Sequence, residues 1–105
     1  MTTTATDPFL LICELAIATG ARDLFTRGEC WERQIDERWW VALNGMRTPM
    51  VSSRGGEPIP PFSAYVEFNG WPAGLLDPHG GWIAAGEIAN RSTFATALQA
   101  AIGAT

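Results

Sequence analysis

Two residues, Asn69-Gly70, constrain this chain more than any other pair. A two-residue hairpin turn of type I′ needs positive φ at both central positions, and Asn-Gly supplies it most readily. Apolar residues alternate on both sides of the pair. With the turn at 69–70, Phe68 pairs with Trp71, Val66 with Ala73 and Ala64 with Leu75, and all six side chains share one face. The other face then carries Tyr65, Glu67, Pro72, Gly74 and Leu76.

The same reading extends in both directions. "CWERQI" and "WWVALN" alternate with period two around Asp36-Glu37-Arg38, which places Trp31, Arg33 and Ile35 on one face with Trp39, Val41 and Leu43. Asn44-Gly45 reads as a second hairpin turn leading into a short strand over 46–50, where Pro49 confines it to an edge. "VSSRGGEPIPPF" (51–62) reads as a mobile Pro/Gly-rich loop joining two β-meanders. "DPHGG" (77–81) makes another turn, and Trp82 opens the last strand; whether its indole faces the core is left open.

Helical spacing appears at the two ends. Asp7 caps and Pro8 begins a helix expected over 7–26, with Phe9, Ile12, Cys13, Ala16, Gly20 and Leu24 on one stripe. Leu11, Leu15 and Ala18 carry the apolar surface well round it. Such a helix is central to the core or covered by a second chain, so a homodimer through residues 8–25 is expected as one outcome. A second helix runs from about 91 to 102, capped by Ser92 or Asn90, and buries Phe94, Leu98, Ala101 and Ile102. The expected fold is α+β: an antiparallel sheet of about five to six strands in two meanders, flanked by an N-terminal and a C-terminal helix on one face. With 105 residues it is a single domain, residues 1–6 forming a disordered tail.

Charge narrows the function. All seven basic residues are arginines spread along the chain, and the net charge is −4. No basic run forms a phosphate footprint, so no nucleic-acid partner is expected. Without lysine, Schiff-base and lysine-base mechanisms are excluded. "FLLICELAIA" is too short to span a bilayer and contains Glu14, so no membrane partner is expected either. Cys13 and Cys30 show no CxxC spacing, and with no signal peptide in view a cytoplasmic location is expected.

Catalytic signatures are sparse. His79, between Asp77 and Glu87, is conceivable as a base or metal ligand, but Asp-Pro-His-Gly-Gly is also what a tight turn requires. No serine has a nucleophile-elbow context and no phosphate loop is present, so no cofactor, no metal and no catalytic residue are assigned. Five tryptophans are a surplus for this length. Trp40 falls on the outer sheet face with Arg47, Tyr65 and Glu67, and aromatic residues with arginine on an open sheet face are what interface hot spots use; the competing reading has the 51–62 loop shielding Trp40. The expected function is a small non-enzymatic protein that binds a protein partner through this face, as an inhibitor, immunity or accessory factor of the sort mobile elements encode. The alternative is a small-molecule-binding or enzymatic site around Trp71, Asp77, His79, Trp82 and Glu87.

Overall fold

Asp7 caps the first helix by accepting the Phe9 N–H at 3.0 Å, with Pro8 at the first helical position. A computed structural model describes residues 7–79, 82–84 and 91–105. The expected 1–6 tail and Glu87 lie outside the described residues. Helix α1 spans Pro8–Ala18 and buries Phe9, Ile12, Leu15 and Ala16. It does not continue to 26 as the spacing suggested. Gly20, at φ +106°, ends it: Gly20 N–H donates to the Ile17 carbonyl at 3.1 Å and Ala21 N–H to that of Ala16 at 2.8 Å. That pair of bonds is the glycine-terminated helix stop in which orphan carbonyls are satisfied by a left-handed residue. A four-residue helix α2, Leu24–Arg27, follows.

The sheet is antiparallel throughout, in the order β1-β2-β3-β4-β5, with β1 Cys30–Gln34, β2 Trp39–Asn44, β3 Ala64–Phe68, β4 Trp71–Leu76 and β5 Trp82–Ala84. Helix α3, Arg91–Gly103, returns against α1. Both long helices lie on one sheet face. Their side chains Ile12, Leu15, Phe94 and Leu98 pack with Trp39, Val41, Leu43 and Val66 in the main core. Trp39 sits at its centre, with ring centroids 4.6 Å from Phe68 and 4.9 Å from Phe94.

The 69–70 turn forms as expected, Asn69 at φ +52° and Gly70 at +83°. Its register slips further along the strand. Phe68 pairs with Trp71 and Glu67 with Pro72, but Val66 then pairs with Gly74 and Ala64 with Leu76, a bulge that leaves Ala73 over. Pro72 is the cause we identify: it has no N–H to give the ladder, and within sheets proline is confined to edges and bulges. The extra residue exchanges the faces beyond it. Leu76, not Leu75, enters the main core, and Leu75 turns to the opposite face. Trp71 stays at the turn, 69% exposed.

Asn44-Gly45 is not a hairpin turn. Asn44 ends β2 fully buried, and its carboxamide NH₂ faces the carbonyls of Thr48, Ile59 and Pro60 at 2.9, 3.0 and 3.1 Å, while its Oδ1 accepts Met46 N–H at 2.8 Å. Gly45 is needed for close approach: a Cβ there would lie 2.6 Å from the Glu29 carbonyl oxygen and 2.7 Å from that of Leu24. Residues 46–50 accordingly form no strand; Met50 makes a single bridge with Ile59. The 46–62 segment is not a loose connection between meanders. Met50 and Ile59 are buried against Trp40 and Ala42, with Met46, Tyr65 and Leu75 around them, in a second core on the outer sheet face.

Asn44→Asp keeps the shape but places a carboxylate opposite three carbonyl oxygens. It should lower stability by about 3 kcal/mol, the upper range for stranding a buried polar group. Urea unfolding checks this: a midpoint shift worth under about 1 kcal/mol would mean that the carboxamide does not hold the cover.

Candidate functional site

One row across the sheet collects the chemistry of the outer face. Gln34 pairs with Trp40, and Trp40 with Glu67, so three adjacent strands present an amide, an indole and a carboxylate side by side. Tyr65, two residues from Glu67 on β3, points to the same side and donates its hydroxyl to Glu67 Oε2 at 3.0 Å. The Trp40 and Tyr65 rings meet edge to face, centroids 6.2 Å apart.

Arg54 closes the cluster from above. Its guanidinium carbon stands 4.3 Å from the Trp40 ring centroid, Nη1 donates to Glu67 Oε1 at 2.7 Å, and Nη2 donates to Gln34 Oε1 at 3.0 Å. This is a stacked, charge-assisted contact of the kind arginine makes and lysine cannot. The Glu67 side chain is only 9% exposed and that of Arg54 40%, so the carboxylate is the buried partner. Arg54 is held at the tip of a turn in which Gly55 N–H donates to the Ser52 carbonyl at 2.9 Å, and Ser53 N–H donates to Glu32 Oε2 at 3.0 Å.

Three of the four residues expected at a partner face, Trp40, Tyr65 and Glu67, are therefore brought together, but under a cover: Trp40 is 5% exposed. Arg47 is exposed, and no ion pair or hydrogen bond of its side chain is present among the described residues. Arg54 takes the place expected of it. Sequence reading missed Arg54 because its partners lie on strands distant in the chain; the only local sign is an arginine set between two serines and two glycines.

The other expected cluster, Trp71, Asp77, His79, Trp82 and Glu87, falls only partly within the described residues. The Asp77 carboxylate accepts the His79 N–H at 2.9 Å, a local turn bond, and His79 is exposed. Trp71 is exposed at the 69–70 turn, the Trp82 backbone pairs with Leu76, and Glu87 lies outside the described residues. Among the described residues no group of three His, Cys, Asp or Glu side chains is placed to hold a metal ion. Cys13 and Cys30 are both free thiols; burial, then Asp7, pushes Cys13 up to about 11, so it stays protonated at neutral pH. No described helix is long and apolar enough to cross a membrane. No protein-family model, no curated protein and no solved structure matches this chain.

Arg54→Ala leaves a buried carboxylate without its cation and should cost about 2 kcal/mol, less than a fully buried pair because Arg54 is partly solvated. Thermal or urea unfolding reads it, and a neutral result would make the contact incidental. Burial, then the hydrogen bond and charge of Glu67, raise the Tyr65 hydroxyl from 10 to about 12. The folded state thus holds a proton that the unfolded state releases, and stability falls as pH rises from 10 toward about 12. In Tyr65→Phe that part of the alkaline decline disappears; an unchanged pH profile contradicts the assignment.

Proposed function

We propose that this chain is a non-enzymatic interaction protein, an inhibitor, immunity or accessory factor, that engages a protein partner from the outer side of its sheet. The observation that supports this reading is the Trp40–Arg54–Glu67 stack. It unites an aromatic ring and an arginine, the residue types enriched at binding hot spots, over a desolvated carboxylate that fixes the arginine. The stack lies beneath a short excursion of chain whose own surface is exposed, with Val51 59% accessible beside it.

The helical side supports a second contact, with another copy of the chain. Leu10 and Ile17 share the outer stripe of α1 and are 63% and 53% exposed; Phe25 of α2 is 41% exposed. Ile17 and Phe25 border an apolar recess of about 40 Å³ that Cys13, Ala21 and Arg22 also line. Glu14 lies on the same stripe between Leu10 and Ile17, and among the described residues neither Glu14 nor Arg22 has an ion-pair partner. This side thus combines exposed apolar groups with one acid on α1, Glu14, and one base beyond its end, Arg22. An isologous contact repeats each pairing twice, and we propose that Glu14 of each copy pairs with Arg22 of the other.

Two experiments separate the surfaces. A photo-crosslinking residue at position 51 should join the chain to a protein partner in lysate of its own source, while one at exposed position 99 on α3 should not; the opposite pattern rejects the sheet-side reading. In sedimentation equilibrium the unaltered chain should be dimeric at micromolar concentration and Ile17→Asp monomeric, and a monomeric unaltered chain rejects the helical contact.

A further inference from the structure

We infer that the hollow formed by Trp40, Glu67 and Gln34 is a guanidinium-binding site, filled in this structure by the chain's own Arg54, and that an arginine side chain of the partner replaces Arg54 there. The inference rests on the proposed function only for the source of that arginine.

The receiving half is rigid. Gln34, Trp40 and Glu67 are cross-strand neighbours on β1, β2 and β3, so sheet hydrogen bonding fixes their spacing. Tyr65 fixes the carboxylate by occupying Glu67 Oε2, which leaves Oε1 aimed at the cation. The ring supplies a π-face, and Glu67 Oε1 and Gln34 Oε1 each accept from a different terminal nitrogen, 2.7 and 3.0 Å away. A planar cation with several in-plane donors satisfies all three at once. A lysine ammonium, a compact point charge, does not.

The donating half sits on a hinge. Met50 and Ile59 are tied by two backbone bonds, Met50 N–H to the Ile59 carbonyl at 3.1 Å and Ile59 N–H to the Met50 carbonyl at 2.6 Å. Between those anchors the chain makes an excursion with Arg54 near its tip. Gly55 and Gly56 follow at φ +78° and +94°, and a Cβ on either would meet nothing within 4 Å. Lifting the tip about the Met50–Ile59 bridge breaks only the exposed Ser53–Glu32 bonds and the Arg54 contacts, while the second core beneath stays packed. With one guanidinium exchanged for another, Glu67 is paired at the start and at the end, so neither end state strands a buried charge. Arg54 then acts as a tethered competitor that lowers the apparent affinity for an incoming arginine.

The test uses N-acetyl-arginine methylamide, with N-acetyl-lysine methylamide as control, read by the Trp40 indole N–H resonance. In Arg54→Ala the arginine compound should bind saturably, about tenfold or more tighter than the lysine compound. It should also bind about tenfold or more tighter than it does to the unaltered chain. Arg54→Ala combined with Glu67→Gln should lose the site. Equal binding of the two compounds, no binding to Arg54→Ala, or equal binding to the variant and the unaltered chain overturns the inference. If Arg54→Ala does not fold, amide exchange in the unaltered chain decides: the arginine compound should speed exchange over 53–57, and unchanged exchange rejects the displacement. A failed titration with crosslinking from position 51 intact removes the arginine site alone. A successful titration without crosslinking removes the partner surface alone.

Discussion

Every side chain of β2, from Trp39 to Asn44, is buried. A strand with no wet face needs a cover on each side, and most of the architecture answers that requirement. On one side the cover is regular: α1 and α3 set Ile12, Leu15, Phe94 and Leu98 against Trp39, Val41 and Leu43. On the other side it is the irregular 46–62 segment, which lays Met50 and Ile59 over Trp40 and Ala42. An irregular cover cannot satisfy its own backbone by a ladder, so its polar groups need individual partners. Asn44 supplies them at one end and Arg54 ties down the tip.

This arrangement gives the proposed function a physical basis. The sheet holds an indole, a carboxylate and an amide in register, while the group that completes them is carried on a short excursion beyond a two-bond anchor. Removing the arginine from such a site strands a buried carboxylate, and the exchange inferred above refills it with a second arginine. The helical contact proposed with a second copy lies on the opposite side of the molecule and leaves the sheet side accessible.

The sequence carried the α+β class, the antiparallel pairing, the 69–70 turn and the placing of helices on one face, because each has a local signature in spacing or turn chemistry. Other signals in it have two meanings. Gly20 falls on an apolar stripe, yet glycine after a helical run is also a stop. Pro72 inside a strand signalled the bulge that turned Leu75 outward and Leu76 inward. Asn44-Gly45 matched the hairpin dipeptide, but its meaning depends on carbonyls at 59 and 60 and on the Leu24 and Glu29 backbone, which no local window contains. The candidate site was legible as to its sheet residues, Trp40, Tyr65 and Glu67, since period two puts them on one face. Its cation was not, because Arg54 lies in an aperiodic segment and reaches its partners only through the fold.

The 46–62 segment is a structural layer and not a loop. Native-state hydrogen exchange of the Met50 and Ile59 amides is the test, since those two N–H groups bond across the segment itself. They should open only with the β2 and β3 amides, near the free energy of global unfolding. Exchange of Met50 and Ile59 at rates close to those of an unprotected chain, while β2 and β3 remain protected, would contradict it.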